Sequence, residues 1–140
     1  MRKFLSATVT AASLIVPSIV YSADNSVGTV PPADPYRQVS ELVPLPDFIP
    51  GIGQLYVDPA TLPAGPFLAY NRAGVLVSTI YMIPLADLNP DKAFDDLAAP
   101  GGTVDHVDIQ YNAGHPGVPV PHAHIVLWHG NVSTEQSVAQ

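Results

Sequence analysis

The 140-residue chain contains no cysteine. That excludes a disulfide scaffold, a thiolate zinc site, a cysteine nucleophile and a lipidated cysteine anchor. Basic residues are scarce, five Lys and Arg against 12 Asp and Glu, for a net charge of −7. A chain this acidic repels phosphate backbones and has no electrostatic footprint for nucleic acid. Only 12% of residues are charged while 47% are hydrophobic, enough to build a core and too many for a wholly disordered chain. There is no G-x-S-x-G elbow for a serine nucleophile. Gly51-Ile52-Gly53 and Gly101-Gly102 lack the strand–loop–helix setting of a phosphate loop. Beyond the first 23 residues no apolar run is long enough for a bilayer span, which takes roughly 20 residues.

What is present begins with an address. Arg2 and Lys3 precede an uncharged stretch, Phe4 to Val20, and small residues follow at Ser22 and Ala23. A basic start, an apolar middle and a small-residue end make a secretory signal peptide over residues 1–23. The competing reading, a membrane anchor, suits the run less well, because Ser6, Thr8, Thr10, Ser13 and Pro17 interrupt it. Cleavage near Ser22 or Ala23 leaves three basic and 12 acidic residues, a net charge of −9. The expected product is secreted or periplasmic and has no membrane anchor once the signal is removed.

Residues 24–50 carry Pro31, Pro32, Pro35, Pro44, Pro46 and Pro50 and are expected as an extended arm, with room for one helical turn between Tyr36 and Leu42. Residues 51–130 read as a β-rich domain. Leu55–Val57, Pro66–Tyr70, Val75–Ile83, Val104–Tyr111 and Val120–Trp128 are apolar or alternating runs, and Asn71-Arg72-Ala73-Gly74 is a hairpin turn. Asn89-Pro90-Asp91 is a helix start, with Ala93, Phe94, Leu97 and Ala98 at helical spacing. Asp95 and Asp96 then diverge by about 100° and form a solvated face, not a catalytic pair. Residues 131–140 are polar and read as a flexible tail. The fold class is mainly β: a compact antiparallel sheet or partly closed barrel with one short helix. The strand aromatics Tyr56, Phe67, Tyr70, Tyr81, Tyr111 and Trp128 are expected in the core, or in a ligand cavity if the sheet closes.

All five histidines fall between residues 106 and 129. His106 and Asp108 share one face of a strand, and His122 and His124 share one face of the next. Pairing the two as a hairpin sets Asp108 across from His124 and lets the loop residue His115 fold near His122. His115, His122 and His124, with Asp108 and His106 as further ligands or orienting groups, are therefore candidate ligands of a divalent metal: zinc, copper, nickel, iron or manganese. His129 has the opposite parity and is left out. The bland alternatives are a structural hydrogen-bonded network and scattered surface imidazoles.

The pattern His106-x-Asp108, Gly114-His115-Pro116 and Pro121-His122-x-His124 resembles a family of uncharacterised secreted bacterial and archaeal proteins. Their segment reads H-x-D, G-H-x-P, P-H-x-D-x-H. Gly114 and His115 match the second element, with Pro116 beside them. His124 stands at the family's Asp and Val126 at its final His, both on the same strand face: either one ligand is moved by one inward-facing position, or the site differs or is lost. The resemblance implies a shared fold and polar site, and no particular reaction. Two readings follow: an extracytoplasmic metal-binding protein, enzyme or not, that takes a small-molecule ligand; and a non-catalytic, self-assembling protein whose histidines are structural or respond to pH, a homo-oligomer.

Overall fold

The computed structural model describes residues 25–140, so the signal-peptide segment lies outside the described residues. Six strands form one antiparallel sheet: β1 (Arg37–Gln38), β2 (Gln54–Val57), β3 (Phe67–Tyr70), β4 (Leu76–Pro84), β5 (His106–Asn112) and β6 (His122–Trp128). Their order is β1-β2-β3-β4-β6-β5. The fold is mainly β in class, as expected, and the sheet is open, with β1 and β5 at its edges, so the barrel alternative falls. Two short helices accompany it, α1 (Val39–Leu42) and α2 (Val132–Gln136).

Each strand follows from its side chains. All four residues of β3 and seven of the nine in β4 are buried, the signature of central strands covered on both faces. Asn71 accepts backbone hydrogen bonds from Ala73 and Val75 through Oδ1, and Gly74 takes φ +76°, which closes the β3–β4 hairpin. The register shifts by one between Ala69 and Tyr70, leaving Val77 as the extra residue of a bulge.

The proline-rich segment is no free arm, and residue 50 is no boundary. Before β1 it covers one face, where Val27 and Tyr36 pack with Tyr56, Leu68 and Tyr70 and the Tyr70 hydroxyl donates to Val27 O at 2.7 Å. After β1 it crosses to the other face, where Val39, Val43, Leu45, Phe48, Ile49 and Ile52 pack on the main core of Leu55, Val57, Phe67, Ile80, Met82 and Val126. The prolines break regular structure while their neighbours supply apolar anchors.

Two further expectations are overturned. The stretch Asn89–Ala98 forms no helix; its apolar residues find no sheet face to pack on, and Leu97 stays exposed. The tail is ordered: Asn131 caps α2 by accepting from Ser133 N and Thr134 N, Val138 is fully buried, and Gly51 N donates to Val138 O. Among the described residues no helix is long and apolar enough to cross a membrane.

Candidate metal centre

β6 carries His122 and His124 on the core face, in line with Val126 and Trp128. Across β4 they lie opposite Pro84 and Met82, and across β5 opposite Asn112 and Gln110. Both imidazoles are buried. Asp108 falls opposite Val126, one inward-facing position away from the expected partner His124.

His115 reaches them through its loop. His115 and Val118 exchange two backbone hydrogen bonds of 3.0 Å around Pro116-Gly117. Proline followed by a residue at positive φ, here Gly117 at +93°, is the pattern of a type II turn. A Cβ at Gly117 would also meet Val43 at 3.2 Å. This small turn tips the His115 ring over β6.

His122 Nε2 lies 3.2 Å from His115 Nε2 and 2.9 Å from His124 Nε2. Two tautomers are fixed by the remaining ring nitrogens. His122 Nδ1 stands 2.7 Å from Val120 O, and His115 Nδ1 stands 2.9 Å from Pro116 O. A carbonyl oxygen only accepts, so in both rings Nδ1 carries a proton and, when the ring is neutral, Nε2 is a lone pair. His124 can donate its Nε2 proton to His122. With both rings neutral no proton is left to place between His115 and His122, and two lone pairs face each other at 3.2 Å.

A metal ion, or a proton shared between the rings, would relieve that arrangement. With metal–nitrogen bonds of 2.0–2.1 Å, two ligands of a tetrahedral site lie about 3.3 Å apart, close to both observed separations. The Nδ1–carbonyl bonds are those that hold ligating imidazoles in place. One ligand atom from each of the three residues lies within 4.8 Å of the others. Burial, and then the neighbouring His122 and His115, pushes the His124 pKa down to about 4, so its ring is neutral and able to ligate at pH 7.

The other expected members stand elsewhere. Asp108 Oδ2 accepts from Trp128 Nε1 at 2.9 Å. His106 stacks on Trp128, with Nδ1 2.9 Å from Asp105 Oδ1 and Nε2 3.6 Å from Glu135 Oε2. The Asp105 carboxylate raises the His106 pKa above the usual imidazole value. His106, Asp108 and Glu135 could also gather round an ion, yet they are half-exposed and already joined to Asp105 and Trp128. His129, excluded by parity, bonds Thr79 Oγ1 and Thr103 O.

Beside the triad lies a cavity of about 270 Å³. His115, His124 and Asn112 are its polar groups; α1, residues 43–52, β2 and β3 supply apolar walls. Sequence reasoning missed Asn112 and the part played by the arm. Asn112 was within reach, since it shares the inward parity of Asp108 and ends the same strand. The arm carried no periodic signal. Of the aromatics, Phe67 reaches this cavity and Tyr111 points to solvent.

No curated protein matches the chain. The family model described as "TTHB210-like: Hypothetical protein TTHB210" matches residues 71–111, a span that ends before His115. The crystal structure of hypothetical protein TTHB210 from Thermus thermophilus is similar at 48% identity and a TM-score of 0.59, with 68% of this chain and 93% of that chain covered. At that identity and coverage, the chain belongs to the uncharacterised TTHB210-like family.

Proposed function

We propose that this is an extracytoplasmic metal-binding protein in which His115, His122 and His124 hold one divalent transition metal through Nε2. The facing Nε2 atoms of His115 and His122 carry this reading: between neutral rings the pair is repulsive unless a cation lies between them, and main-chain carbonyls hold a proton on both Nδ1 atoms. Three neutral imidazoles suit zinc, copper, nickel or iron, with manganese a harder and poorer match. Three protein ligands leave a fourth position open, where a metal can activate water or polarise a carbonyl. The basic–apolar–small pattern of residues 2–23 supports export. The H-x-D, G-H and P-H-x-H pattern supports kinship of this site with the secreted family it resembles.

Metal analysis of untagged protein after dialysis tests this. About one equivalent of metal is expected in the parent and none in His122→Ala. No metal in the parent, together with no thermal stabilisation by zinc, copper or nickel, would remove the proposal.

One observation favours a second reading, self-assembly. The outer face of edge strand β5 exposes Val107, Ile109 at 73% and Tyr111 at 69%, an apolar row that a second copy could cover. Light scattering from pH 5 to 8 separates the readings: a monomer throughout removes assembly and leaves the metal site untouched.

A further inference from the structure

The cavity beside the triad is polar at one place and apolar elsewhere. Leu45, Ile49, Leu55 and Val57 are among its walls, and the polar side chains are His115, His124 and Asn112. Among the described residues no Asp, Glu, Lys or Arg lines it. Asn112 Oδ1 accepts from Gly114 N at 2.8 Å, which leaves the side-chain NH2 as a donor. Leu42 and Leu62, both wall residues, are 42% and 46% exposed and mark the mouth.

We infer that this cavity binds a small amphiphile: one anionic head group at the open position of the His-held metal, and an unbranched or monocyclic apolar body beneath residues 43–52. The head group rests on the metal reading above; the body rests on the cavity alone. Size follows from volume. An apolar cavity of about 150 Å³ takes benzene, roughly 25 Å³ per non-hydrogen atom, so 270 Å³ takes a ligand of about ten or eleven such atoms. Charge follows from the ligand set. Three neutral imidazoles leave a divalent ion with both its charges, in a wall without a carboxylate. An uncompensated charge in apolar surroundings is costly, so the ligand must bring the anion. The Asn112 NH2 would donate to the head group's second oxygen. Octanoate, with eight carbons and two oxygens, fits both requirements.

Calorimetric titration tests this in two stages on the full mature chain. Zinc is titrated first; the zinc-loaded protein is then titrated with octanoate, octanol and acetate. We expect octanoate to bind at least tenfold more tightly than either octanol, which lacks the anion, or acetate, which lacks the body. Leu45→Trp, a substitution at a half-buried wall position, should abolish octanoate binding and leave zinc binding intact, which also shows that the variant folds. Zinc binding with no octanoate binding, equal affinity for octanol and octanoate, or unchanged octanoate affinity in Leu45→Trp each overturns the inference and leaves the metal reading standing. Failure of zinc to bind overturns both.

Discussion

Replacing His115 by alanine should have opposite consequences with and without metal. In the metal-free protein at alkaline pH, with both rings neutral, the His115 and His122 Nε2 lone pairs face each other at 3.2 Å. With about half an elementary charge on each and an effective dielectric constant of about 20, their repulsion is about 1 kcal/mol. The substitution removes that repulsion together with a local, partly exposed hydrogen bond to Pro116 O, which contributes about 0.5 kcal/mol. The metal-free variant should therefore be as stable as the parent, or more stable by up to about 1 kcal/mol. With zinc at a hundred times its dissociation constant, the parent gains about 2.7 kcal/mol by mass action, or about 10 °C for a domain of this size. A variant with two ligands should gain little. Thermal unfolding in chelator and in zinc reads both arms. A loss of 1 kcal/mol or more in chelator, or an equal zinc shift in both proteins, would refute the reasoning: the first denies the repulsion and the second denies that His115 is a ligand.

Acid should weaken the metal-free fold through His124. Its folded pKa of about 4 lies below the usual 6.5, so the unfolded chain takes up the proton first. Stability is then full above pH 6.5 and falls toward pH 4 by at most about 3 kcal/mol, and urea denaturation of His124→Gln should show a flatter profile. His106 works with the opposite sign: its raised pKa gives stabilisation that is complete below pH 6.5 and is lost as pH rises through the folded value, which His106→Gln should remove. Asp108→Ala strands the Trp128 indole N–H and should cost about 1–3 kcal/mol without changing metal content; metal loss would place Asp108 in the site. Gly117→Ala forces a side chain to positive φ against Val43 and should cost about 1–2 kcal/mol while weakening zinc binding, measured by titration against a chelator.

The parts of this protein legible in its residues are those with a period. β2 to β6 follow apolar or alternating runs, and the two-residue spacing of His122 and His124 places both on one face. Parity also separates His129 from the triad. Register was harder to read. The offset of Asp108 depends on how much chain the turn at His115–Val118 absorbs, and no alternation encodes that. The helix expected at Asn89 had a cap and a pattern but no face to bury, whereas α2 had only the Asn131 cap and gained a buried anchor in Val138. Proline made residues 24–50 look like a free arm, because local sequence says what a segment cannot form and not what it lies against.

The place of β6 between β4 and β5 has a consequence for how the chain matures. Residues 122–128 leave the ribosome after every other strand, yet they join the two on either side. Until they arrive, β4 has an open edge and β5 has no neighbour, so this side of the sheet waits on the last of the six strands. Non-local pairing of this kind slows folding, and it delays the gathering of the three imidazoles until β6 has been made.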